Sequence, residues 1–159
     1  MEYFHSVVTE YLCADRSVFA KGECRIELGT DNARTKGQHW YADIIACDFR
    51  TRTIYLCAIT LEKKLQALIK RLRAWESHWP QLRNAVFRDF SIEPNWHVQP
   101  WVFIPEKLFK DYQRKRSKHV SADAGTSLMP DPLVTCLEAV CPWKYESSDR
   151  KKDALAVFE

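Results

Sequence analysis

Between Trp40 and Thr60 two apolar runs rich in β-branched residues flank Phe49-Arg50-Thr51-Arg52. That is the pattern of two strands joined by a short loop, a β-hairpin. Pairing symmetric about the loop puts Asp43 opposite Ala58, Ile45 opposite Leu56 and Tyr41 opposite Thr60. Strand side chains alternate between faces, so one face carries Tyr41, Asp43, Ile45, Cys47, Ile54, Leu56, Ala58 and Thr60. The other carries Ile44, Ala46, Tyr55, Cys57 and Ile59. Both are apolar, so the hairpin belongs at the centre of a sheet with helices on both sides.

The flanking sequence supplies those layers. Phe4, Val7, Val8, Tyr11 and Leu12 fall on one face of a helix over about residues 3–13. Gly22–Leu28 alternates like a strand, and a loop runs to about Gln38. Leu61, Leu65, Leu68, Ile69, Leu72 and Trp75 form a helical stripe that starts directly where the hairpin ends. A second helix is expected around Gln81–Phe90. Trp96–Ile104 reads as a strand at an edge or bulge because of Pro100. Pro105 opens a basic helix to about Arg116. Asp131-Pro132 is expected to cap a helix through Val140, and the loop around Ser121–Ser127 and the charged last ten residues are expected to be mobile.

With 159 residues, 46% of them apolar, the chain suits a single domain with a continuous core, residues from about 105 to 159 forming a helical extension. Trp75, Trp79, Trp96, Trp101 and Trp143 are expected chiefly to pack in the core. No stretch is long and apolar enough to span a bilayer, and residues 1–5 lack the pattern of a secretory leader. The six cysteines contain no CxxC pair, so buried free thiols in a cytoplasmic protein are expected. The five histidines share no ligand spacing. Net charge is only +3, but Lys63, Lys64, Lys70, Arg71, Arg73, Arg83 and Arg88 crowd one region. Lys110, Arg114, Lys115, Arg116 and Lys118 crowd another, a distribution that suits a polyanion.

The order helix-strand-strand-strand-helix-strand over roughly residues 3–104 resembles the core of the PD-(D/E)XK phosphodiesterases, the restriction-endonuclease-like superfamily. Members place an Asp on the second strand, a (D/E)-x-K triplet on the third and often a Glu on the first helix. The matching residues are Asp43, the triplet Ala58-Ile59-Thr60, and Glu10. The resemblance implies an α/β fold with a mixed central sheet flanked by helices. It also implies a nuclease that acts on DNA, with RNA the less favoured substrate, and uses Mg²⁺ or Mn²⁺ held by Asp43, position 58 and Glu10. Lys63, Arg71, Arg73, Arg114 and Arg116 would hold phosphates. A homodimer or a protein partner is compatible with this reading.

Ala58 stands where an acid is expected and Thr60 where a Lys is usual, so the triplet cannot act as written. Lys64, from the first turn of the following helix, is the expected surrogate cation. A literal match, Glu62-Lys63-Lys64, is set aside because on a helix Glu62 and Lys64 would lie roughly 200° apart. Either Ala58 replaces a natural glutamate, a change that abolishes cleavage, or the domain is a degenerate relative kept for binding or assembly. The first is favoured because a core-facing Asp43 is costly without a cation or a donor. That preference lapses if a backbone N–H or an arginine bonds to Asp43. Cys57, beside the site, reads as a small buried hydrophobe.

Overall fold

In the computed structural model, residues 2–27, 39–120 and 128–144 are described. Helix α1 (Glu2–Leu12) leads into β1 (Val18–Glu27), β2 (His39–Asp48) and β3 (Thr53–Ile59). Helices α2 (Gln66–Ser77) and α3 (Trp79–Asp89) follow, then β4 (His97–Ile104), α4 (Phe109–Val120) and a short β5 (Leu133–Cys136). The strands form one five-stranded sheet in the order β1-β2-β3-β4-β5. β1–β2 and β2–β3 are antiparallel, and β3–β4 and β4–β5 are parallel. The chain is therefore α/β with a mixed sheet.

The hairpin register is the symmetric one: Ile44 faces Cys57, Ile45 faces Leu56 and Asp48 faces Thr53. Its loop is closed by Asp48, whose Oδ1 accepts the N–H groups of Arg50 at 2.9 Å and Thr51 at 3.4 Å. Both faces are covered. Ile45, Ile54, Leu56 and Ala58 join a core with Leu68, Leu72, Trp75, Leu82, Val86 and Tyr112 of α2, α3 and α4. Ile44, Ala46, Cys57 and Ile59 pack with Val7, Val8 and Leu12 of α1 and with Leu137 and Val140. Of the tryptophans, Trp75 and Trp79 are buried, whereas Trp143 is exposed.

Several expectations need correction. Helix α2 does not continue β3. The Thr60 hydroxyl accepts the N–H of Glu62 at 3.1 Å, a side-chain turn that competes with helix. Leu65 then takes a left-handed conformation, φ 58°, with its side chain fully buried. The leucine spacing thus reports burial across a link, not a helix from residue 61. β4 lies inside the sheet, between β3 and β5. Its N–H at His97 points to β3, bonding Arg52 O, so by alternation Pro100 lacks its N–H on the β5 side. The β5 ladder starts only at Trp101, and no sheet bond is lost.

Residues 133–136 form the fifth strand rather than a helix, because Leu-Val-Thr-Cys meets the open edge of β4. Only Leu137–Val140 is helical, as a 3₁₀ turn. The segment after residue 105 therefore adds a strand to the sheet and is not a helical extension alone. The expected second helix is α3, with Pro80 in its first turn. The expectations for residues 28–38, 121–127 and 145–159 lie outside the described residues. Among the described residues no helix is long and apolar enough to cross a membrane.

Arg116, expected on the surface, is buried between α2 and α4, where Nη1 donates to Glu76 Oε2 at 3.0 Å. Removing one partner leaves the other charge buried and unpaired. Arg116→Ala is predicted to lower the unfolding free energy by about 3 kcal/mol, measured by urea denaturation. Glu76→Gln combined with Arg116→Met should lose clearly less.

Candidate functional site

Asp43 sits where β2 loses its neighbours on both sides. The β1–β2 ladder pairs Gly22 with Ile44 and Cys24 with Ala42 but skips the rung between Glu23 and Asp43. Glu23 is left-handed there, φ 52°, an uncommon state for a non-glycine residue. The inward-facing positions change across this rung. Val18 and Ala20 pack on the α1 side, whereas Cys24, Ile26 and Ala42 join the core under α2 and α3. The β2–β3 ladder ends at Ile44 and Cys57, one rung short of the Asp43–Ala58 pair expected from the hairpin.

The reason for that early end is a side-chain bond. The N–H of Ile59 donates to Asp43 Oδ2 at 2.7 Å, taking the place of a ladder bond to the β2 backbone. Arg71, from the middle of α2, donates Nη1 to the same oxygen at 2.8 Å. The pair is largely enclosed, with side-chain exposures of 15% for Asp43 and 31% for Arg71. Thr60 does not face Tyr41. Its N–H goes to Phe103 O in β4 at 3.2 Å, and its hydroxyl closes the turn that follows.

Asp43 thus has both a backbone N–H and an arginine, the two donors that remove the need for a cation there. Ala58 is fully buried among apolar side chains and supplies no ligand. Glu10 is exposed on α1, which covers the opposite face, and lines a hollow with His5, Ser6, Thr9, Cys13, Gly22 and Glu23. Among the described residues no group of three His, Cys, Asp or Glu side chains could hold a metal ion. Magnesium needs an oxygen-rich, near-octahedral shell. One carboxylate oxygen already shared by two N–H donors does not fit that demand.

The cations also fall differently from the sequence pattern. Lys64 is exposed in the Thr60–Leu65 link, not on the first turn of α2, and its carbonyl accepts Lys115 Nζ. Glu62 and Lys63 are exposed in the same link, so the literal triplet Glu62-Lys63-Lys64 is neither strand nor helix. Arg71 is committed to Asp43 and Arg116 to Glu76, so neither is a free phosphate ligand. Arg73 and Arg114 are exposed, although Arg114 also contacts Asp111 at 3.1 Å. The Lys115–Lys64 contact joins α4 to the link before α2, and the Arg116–Glu76 contact joins α4 to α2 itself. Two basic stretches separate in sequence therefore adjoin in space.

Comparison with protein-family models, with curated proteins and with solved structures finds no match to the chain.

Cys57 faces Ile44, the neighbour of Asp43, across the hairpin and has no exposure. Burial first, then the negative charge of Asp43, pushes its thiol well above the ordinary cysteine range. A thiol reagent at neutral pH is predicted to label exposed Cys13 in the folded protein and to reach Cys57 only after unfolding, as followed by mass spectrometry. Arg71→Ala leaves Asp43 with a single donor and is predicted to cost roughly 1–3 kcal/mol of stability. In a double-mutant cycle most of that loss should disappear against Asp43→Asn, since the two residues act through one bond.

Proposed function

We propose that the chain is a nucleic-acid-binding domain related to the PD-(D/E)XK nucleases, restriction-endonuclease-like in fold, that binds its target without cleaving it. The observation that carries this reading is the Asp43 carboxylate, held by Arg71 and the Ile59 N–H. A guanidinium fixed on that oxygen supplies the positive charge a catalytic cation would supply, but it can neither generate hydroxide nor open a coordination position for phosphate. Binding rests on the exposed cations of the adjoining α2 and α4 region: Lys63, Lys64, Lys70, Arg73, Lys110, Arg114 and Lys118. Such side chains meet phosphates without reading base sequence. DNA is the favoured target, and assembly with a partner or a second copy is compatible with the role.

The test is an anisotropy titration of labelled DNA and RNA at several salt concentrations, with Mg²⁺ and with a chelator. Binding should weaken steeply as salt rises, because each phosphate contact releases counterions. It should be insensitive to the chelator, and Lys64→Glu combined with Arg73→Glu should weaken it at least about tenfold. Absent binding at low salt, or binding that is flat with salt, would overturn the reading.

A second reading, a nuclease whose natural acid at position 58 is replaced, draws on one observation. Asp43 bonds the N–H of Ile59, the residue next to position 58, so an acid there would lie close to Asp43. On this reading Ala58→Glu creates Mg²⁺- or Mn²⁺-dependent cleavage that vanishes with Asp43→Ala. A variant that folds and binds yet cleaves neither DNA nor RNA removes it.

A further inference from the structure

The loop end of the hairpin carries an aromatic cluster, two of whose three rings lie outside the core. Phe19 on β1 and Phe49 in the hairpin loop are 66% and 54% exposed. Their ring centroids are 5.7 Å apart, and Phe49 lies 5.3 Å from Trp96, which is partly buried against the core. Both contacts are nearly perpendicular, with interplanar angles of 82° and 84°. An edge-to-face contact covers a face of only one of its two rings, whereas stacking covers a face of both. The contrast is with Trp101 and Phe103, which stack at 26° on the α1 side, where Phe103 is fully buried.

The surroundings are cationic. Arg16, Arg50 and Arg52 are exposed on the segments that carry Phe19 and Phe49. Asp15 and Asp48 are occupied within the fold. Asp15 accepts the N–H and hydroxyl of Ser17 and pairs with Arg50, and Asp48 closes the hairpin loop. Backbone bonds fix the platform, from Phe49 N–H to Ser17 O and from His97 N–H to Arg52 O, both at 3.0 Å. Along β2 this end lies about 17 Å from Asp43 by strand rise, so it is distinct from the site described above.

We propose that Phe19, Phe49 and Trp96 form a stacking platform for unpaired bases of single-stranded nucleic acid, with Arg16 and Arg52 on the adjoining phosphates. The inference rests on the nucleic-acid-binding reading and specifies which form of nucleic acid is favoured. Exposed aromatic faces beside guanidinium groups suit a ligand that offers flat π surfaces and regular negative charge together. A duplex hides its base faces within its own stack, so the platform selects unpaired strands.

The test compares three probes: an oligothymidylate and an abasic strand of about 15 nucleotides and equal charge, and a duplex of about 15 base pairs. Affinity is read by anisotropy for the natural chain and for Phe19→Ala combined with Phe49→Ala. Both side chains are largely exposed, so the variant should keep its fold, which circular dichroism checks. The natural chain is expected to bind oligothymidylate about tenfold or more tightly than the abasic strand. The variant is expected to lose that difference while its duplex affinity changes less than about twofold.

Equal affinity of the natural chain for thymidylate and abasic strands would overturn the platform and leave the nucleic-acid reading standing. Binding to none of the probes would overturn both. If the substitution instead dissolves a dimer seen by light scattering and leaves thymidylate binding unchanged, the cluster is a self-contact and the proposal fails.

Discussion

The architecture depends on the two-sided burial of the β2–β3 hairpin. At about 25 cal/mol per Å² of apolar surface removed from water, neither face of Ile44, Ile45, Ile54 and Leu56 can stay wet, and all four are almost completely buried. Helix α1 and the 3₁₀ turn Leu137–Val140 close one face, and three helices close the other. Parallel β4 extends the sheet because α2 and α3 carry the chain back to the starting end of β3. Each covering layer answers the same demand.

Within that apolar centre Asp43 is the polar exception, and the way it is satisfied shapes its surroundings. Its carboxylate takes a donor from β3 and another from α2. The bond from Ile59 ends one ladder, and the opposite ladder skips the same rung at left-handed Glu23. An aspartate at this point is thus bound into the fold from two directions. Both contacts that make it tolerable fall on the same oxygen, Oδ2.

The hairpin, its register and its two apolar faces were legible because period-two alternation and a short loop leave little freedom. The basic character of α2 and α4 was legible too. The left-handed Leu65 and the Thr60 turn were not, since leucine spacing is the same for a helix and for a link whose leucines are buried. β5 was hidden by its length of four residues, and its pairing with β4 is a non-local fact. Arg71 read as one cation in a run. Arg116 gave no signal of burial, because partnership with Glu76 depends on how α4 crosses α2. The Phe19–Phe49–Trp96 cluster joins three segments that no periodicity connects.

The account turns on Asp43 being held by protein donors and not by a cation. The most direct measurement is calorimetric titration of Mn²⁺ into the natural chain and into Asp43→Ala. The account predicts no saturable binding that distinguishes the two. Saturable one-site binding by the natural chain that is lost in Asp43→Ala would contradict it, because Arg71 would then be displaced by the metal.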